Sequence, residues 1–351
     1  MSGVQHSPDA AMPLDTARGA HGVQPALWYT AALALLALLL PFLEGVPVIG
    51  WLASPFQRIQ LTYGLVFSIA ALAFNLLLGY TGLLSFGHAA FFGGAAYAAG
   101  LLVKYLHVYS MEGFLLAGLT SATVLAAVFG SVCVRYTRIF FSILTLALSQ
   151  VLWALALKFF WITNGTDGLS IPTPILLGGL VGTAGDKVRF LSFTYYYYVL
   201  FIFFICVAVM GVIAASPFGK ALQAIRDNEV RAQFVGIGVR RYRWYAFVIS
   251  GAFTGVAGAL FAPLNGLTTP DILHWTFSGK IVFMTVLGGF KSFIGPILGG
   301  VAYNYLETYV IKTTEYWQML LGIILVALVL VMPQGIVGVF AWGSRRERRN
   351  R

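Results

Sequence analysis

The chain has 351 residues, of which 59% are hydrophobic and only 10% charged, with a formal net charge of +10. Ordinary soluble domains carry about a quarter charged residues, so this composition excludes that class and reads as an all-α polytopic membrane protein. The positive balance is read as lysines and arginines that set topology and meet anionic lipid headgroups, rather than as affinity for nucleic acid.

Residues 1–25 are polar and read as a flexible tail on the cytoplasmic side; they lack the charged start, apolar core and cleavage site of a signal peptide. Ten apolar segments then follow, approximately 26–43, 59–78, 86–103, 114–134, 139–160, 195–215, 244–263, 274–289, 293–311 and 317–333. A transmembrane domain is thus expected over 26–340, with a basic cytoplasmic tail over 341–351. With both termini inside, the inner segments collect Arg18, Arg135, Arg138, Lys291, a central cationic stretch and the C-terminal arginines, whereas the outer loops keep Arg58, Lys104, Lys187, Arg189 and Lys312. Ten spans can be two inverted sets of five, a common transporter plan. The one internal echo aligns Gly82, Ser85, Gly93, Gly94 and Tyr97 with Gly289, Ser292, Gly299, Gly300 and Tyr303, and pairs the third segment with the ninth. Inverted halves would pair the third with the eighth.

Residues 79–100, GYTGLLSFGHAAFFGGAAYAAG, carry six glycines within what would otherwise be a plain hairpin of two spans. Glycine permits close helix approach, and it permits a helix to break where backbone groups face a cavity. Asn75, Tyr80, Thr81, Ser85 and His88 add polar groups beside the break, so Asn75, Tyr80, Gly82, Ser85, His88 and Gly93 are the candidate pathway residues. Tight helix packing explains the glycines equally well, and for His88 a packed, hydrogen-bonded ring is the favoured role. The two cysteines, Cys133 and Cys206, lie in apolar runs, and no second histidine stands at metal-ligand spacing. No metal site or disulfide is expected.

Residues 217–243, PFGKALQAIRDNEVRAQFVGIGVRRYR, form a basic island in this greasy sequence, with Lys220, Arg226, Arg231, Arg240, Arg241 and Arg243. The stretch Lys220–Phe234 has no Gly or Pro, and glycines follow at 236 and 238. The pattern predicts one or two short cytoplasmic helices closed by glycine. Phosphate-loop, HExxH and GxSxG motifs are absent, so catalysis is not indicated. Lys280 and Glu307 fall within late spans, near segment ends from which they could snorkel.

Three motifs together resemble the LivM-like permease subunit of ABC importers for branched-chain amino acids: GYTGLLSFGHAAFFGGAAY (79–97), TNGTDGLSIP (163–172) and FGKALQAIRDNEVRAQFVGIGV (218–239). The likeness covers roughly residues 59–340. It implies a permease in a bacterial inner membrane that imports branched-chain amino acids or a related amide or urea. It also implies partners: a LivH-like permease, two ATPase subunits that bind ATP and Mg²⁺ in place of this chain, and an extracytoplasmic binding protein. By the same resemblance the island is the ATPase-coupling loop, with Gly219, Ala221, Arg226, Asp227, Glu229, Ala232 and Gly236 as its residues. Ala232 and Gly236 are expected at the contact; Glu229 departs by one position from the family's usual spacing, which leaves its own role open. A stand-alone channel or ion-coupled transporter for a small neutral solute is the alternative.

Overall fold

The computed structural model describes residues 54–136, 138–176, 187–332 and 335–338. The expected N-terminal tail, the segment 26–43 and the basic tail 341–351 lie outside the described residues. The first described helix, α1 (Pro55–Asn75), opens with Pro55 after a Ser54 cap that accepts from the Gln57 amide. It runs into a π-helical turn over Leu76–Thr81 and stops at Gly82, whose φ of +72° suits glycine. The chain continues through α2 (His88–Leu101), α3 (Met111–Cys133) and α4 (Arg138–Lys158). A helical run from Lys187 then leads into α5 (Tyr195–Ala215). Two short helices follow, α6 (Pro217–Asp227) and α7 (Glu229–Phe234), before the long α8 (Val239–Asn265). The chain finishes with α9 (Trp275–Gly288), α10 (Gly295–Thr313) and α11 (Trp317–Val331).

Nine of the ten expected segments fall on described helices. Among the described residues, seven helical stretches are long and apolar enough to cross a bilayer. The two that are not are α9, with 14 residues, and α10, which buries Asn304 and Glu307. At 1.5 Å per residue α9 reaches only about 21 Å, short of a ~30 Å hydrocarbon core. The apolar run 274–289 thus marks α9 to within a residue at each end, but the helix is too short to count as a full span.

Helix α8 is central and packs mainly against α3, α2 and α1, while α10 packs on α1 and α9. Its contact face is glycine. A Cβ on Gly251 would overlap that of Ala126, one on Gly255 would overlap that of Ala122, and one on Gly258 would overlap the Phe92 carbonyl oxygen. Close approach of backbones is what such small residues permit. The buried face of α3 answers at every fourth residue, with Gly118, Ala122 and Ala126. Helices α3, α4 and α11, by contrast, leave most of their apolar surface outward, as lipid-facing helices do.

The loops sort to two ends. At one end, strand Leu169–Ser170 pairs antiparallel with Leu267–Thr268, and Ser110 bridges to Ile175. There Lys104 Nζ donates to the Trp161 and Ile162 carbonyls at 3.0 Å and to Asn164 Oδ1 at 2.8 Å, which anchors the TNGTDGLSIP loop. The opposite end holds the turn after Gly82, the turn after Gly289, and α6 and α7. Gly289 also has positive φ, +106°. In the first turn Ser85 Oγ accepts from the Gly87 amide at 3.2 Å; in the second Ser292 Oγ accepts from the Gly295 amide at 2.9 Å. The sequence echo thus has a structural counterpart, a glycine stop followed by a turn that a serine hydroxyl ties before the next helix. Both hairpins turn at the same end and run in the same sense, so the echo is not the trace of inverted halves.

Candidate coupling and pathway site

The island folds as two short helices, and each has a local reason. Ser216 caps α6 by accepting from the Gly219 amide, Pro217 fills the first position, and Asn228 Oδ1 caps α7 by accepting from the Arg231 amide at 2.9 Å. Gly236, at φ +85°, closes the element. Helix α6 is amphipathic and buries Gly219, Leu222 and Ile225, and Phe218 stacks on Tyr242 with ring centroids 5.6 Å apart. A side chain at Gly219 would strike the Ile213 carbonyl, so this glycine is needed for the tight entry into α6.

Two of the expected coupling residues take definite partners through their side chains. Arg226 Nη1 donates to the Gly79 carbonyl in the π-helical turn of α1. Glu229 receives a bidentate pair from Arg243, at 2.8 and 2.9 Å. Arg243 is buried, with a side chain 7% exposed against 37% for Glu229. Ala232 needs a correction: it is 2% exposed, packed into this chain's own core, and is not available to an outside surface. Gly236 has open space around its Cβ position and serves the turn. The exposed apolar groups of the element are instead Val230, Phe234 and Val235, with Phe234 86% exposed. Phe234 and Val235, two neighbouring hydrophobes in a basic stretch, were the available sequence signal. The Glu229–Arg243 pair, 14 residues apart, had none.

The candidate pathway residues do not share one cavity. His88 is buried, its Nε2 2.8 Å from Ser250 Oγ, and its ring meets Phe74 and Phe91 edge-on. It is the packed histidine that the residue pattern favoured. Ser85 caps a turn, and Gly93 lies where a Cβ would come 2.6 Å from Leu273 Cδ2. Tyr80 is half-buried. Asn75 donates to the Ser292 carbonyl at 3.4 Å, and a Cβ on Gly79 would meet Asn75 and, at 2.6 Å, the Phe290 carbonyl. The two broken hairpins therefore touch at their turns. Gly82 alone of the candidates borders open space, a cleft of about 540 Å³ lined also by Thr81, Arg226, Asp227, Glu229 and Arg243. Arg226 Cγ lies 3.3 Å from the position a Gly82 Cβ would take.

Lys280 and Glu307 also require a correction. They do not snorkel apart; Lys280 Nζ donates to Glu307 Oε1 across α9 and α10. Cys133 and Cys206 are free and buried, and no group of three His, Cys, Asp or Glu side chains that could hold a metal occurs among the described residues.

A family model described as "Branched-chain amino acid transport system / permease component" matches residues 59–329. The high-affinity branched-chain amino acid transport system permease protein LivM of Escherichia coli is 28% identical over 296 residues, covering 79% of this chain and 68% of that protein. LivM of Salmonella typhimurium is 29% identical over the same shares. The corresponding LivH protein of Escherichia coli is 26% identical over 288 residues, 79% of this chain and 92% of its own length. No solved structure gives a significant match. The match spans every described membrane helix that packs around α8, together with the α6–α7 element and both glycine breaks, and the chain belongs to the family of branched-chain amino acid transport permease components.

Proposed function

We propose that this chain is one membrane-spanning permease subunit of an ATP-driven ABC importer in a bacterial inner membrane, for branched-chain amino acids or a related amide or urea. It works beside a LivH-like permease, two ATPase subunits that hold ATP and Mg²⁺, and an extracytoplasmic binding protein. Relatives bearing both LivM and LivH names support the permease pair. The observation that carries the reading is α6–α7: a basic, capped helical element with an exposed apolar edge at Val230, Phe234 and Val235, tied by Arg226 to the break in α1. An element of this kind suits a groove on an ATPase, and a shift of α6 would pull directly on Gly79 and, through Asn75, on the second break. Asp227 and Arg226 sit at the rim of the contact, and Gly219, Ala221 and Ala232 keep the element seated. The stand-alone alternative is disfavoured by membership of this family.

In this reading both termini are cytoplasmic, and α6–α7 faces the cytoplasm. Cysteines placed at Arg241 and Arg345 should react only from the inner side of membranes, and one at Lys187 only from outside. External labelling at 241 would refute the orientation.

The functional test is uptake of leucine into proteoliposomes holding the full complex, which should require ATP. Uptake that proceeds equally without ATP would favour a channel. In the same complex, Phe234→Glu combined with Val230→Glu should lower ATPase retention by roughly a hundredfold, because docking would bury unpaired carboxylates at a cost of several kcal/mol. Wild-type retention would move the contact elsewhere.

A further inference from the structure

Charges held within a bundle of membrane helices are costly and are kept where they act. Lys280 and Glu307 lie about one and a half and two turns from the outer ends of α9 and α10, and they bond to each other there. Helix α9 is a short helix of 14 residues, entered from an extended His274 and ended by Gly289. Unusually short apolar segments of this kind point to solute sites in transporters. The pair is also accessible on one side. The Lys280 side chain is 33% exposed and the Glu307 side chain 11%, and Glu307 is the only protein partner Lys280 has among the described residues. Gly279 beside it has no atom within 4 Å of its Cβ position, and Phe283, one turn on, is 45% exposed.

We propose that Lys280 and Glu307 form the headgroup site for a zwitterionic α-amino acid, Lys280 taking the carboxylate and Glu307 the ammonium. The inference rests on the importer reading and narrows its substrate. In the resting state the two side chains neutralise each other. An arriving zwitterion exchanges that one ion pair for two, so no charge is left unpaired in the membrane at either stage. A lysine ammonium has three N–H donors and a carboxylate two acceptor oxygens, enough to hold such a headgroup. The apolar side chain of the substrate lies across the open space at Gly279 toward Phe283. An amide or urea carries no such pair of charges and could not displace the Lys280–Glu307 bond without leaving both ions unpaired, so the site selects amino acids over those solutes.

The test uses the full complex in proteoliposomes, with leucine as the probe. A wild-type complex without ATP-dependent uptake would refute the importer reading itself. Given a working complex, the double variant Lys280→Met with Glu307→Leu should lose leucine uptake by roughly a hundredfold while still co-purifying with the ATPase. Exchanging both partners of a purely structural buried pair for apolar side chains of similar size is close to neutral. Leucine uptake within about threefold of wild type by the double variant would therefore overturn the proposal. Where that variant fails to assemble, Lys280→Glu with Glu307→Lys decides. It keeps an ion pair between the helices but meets the bound headgroup with like charges. Lost uptake supports the site, and retained uptake refutes it.

Discussion

Replacing Gly258 with leucine should leave almost no folded protein in the membrane, whereas the same change at Gly322 should be silent. Gly258 lies on α8 where a Cβ would overlap the backbone carbonyl of Phe92 on α2. A carbonyl cannot rotate away as a side-chain tip can, so α8 and α2 must separate. Separation would also pull Gly255 from Ala122 and Gly251 from Ala126, the neighbouring contacts along the same helix. Overpacking a core commonly costs about 1–3 kcal/mol, and a clash with backbone along a central helix lies at or beyond the upper end. Even Gly258→Ala should therefore cost about 3 kcal/mol. Gly322 on α11 has no atom within 4 Å of its Cβ position. Yield of monodisperse protein in detergent and its thermal midpoint measure both changes. Equal yields for Gly258→Leu and wild type would show that α8 and α2 are not in contact along this face.

How much of this was legible in the sequence depends on which physical signal each feature leaves. Spans such as 59–78 and 244–263 announce themselves by apolar length, and they fall within α1 and α8. The break after Gly82 was legible from its glycines, since a positive-φ stop favours that residue type, whereas the matching stop at Gly289 left only a loose sequence echo. Which glycines carry the packing was harder. Glycine is densest in residues 79–100, yet the tightest contacts with α2 and α3 come from Gly251, Gly255 and Gly258. Gly251 and Gly255 form a GxxxG pattern, the sequence signal of that packing face. Ala232 shows the converse error. A small residue on an amphipathic helix can mark an outside contact or inside packing, and only the fold decided that it packs inward. Lys280 and Glu307 looked like separate end-of-span charges because pairing between helices leaves no trace in linear order.

The second large effect is expected at the Glu229–Arg243 pair, and it should be asymmetric. Arg243, on α8, is nearly buried and bonds Glu229 through two guanidinium nitrogens, while its Nε has no partner. Glu229, on α7, is more than a third exposed. Glu229→Gln therefore leaves a buried guanidinium with its charge uncompensated. Breaking a fully buried pair costs about 3–5 kcal/mol; solvent at the glutamate lowers this to about 2 kcal/mol. Arg243→Met leaves only a glutamate that water can reach, so it should cost less. The double variant should recover most of the loss, because neither charge remains. The function follows from position. The pair is the polar clamp that holds α7, with its exposed Phe234, onto α8, and it walls the cleft that Gly82 and Arg226 share. Loosened, α7 could still touch an ATPase but would no longer transmit its closure to α8. Substrate-stimulated ATP-driven uptake should then fall by roughly tenfold or more in Glu229→Gln, with less effect in Arg243→Met and near-normal rates in the double variant. Equal losses in all three would mean that each side chain acts separately, through contacts with the ATPase rather than through each other.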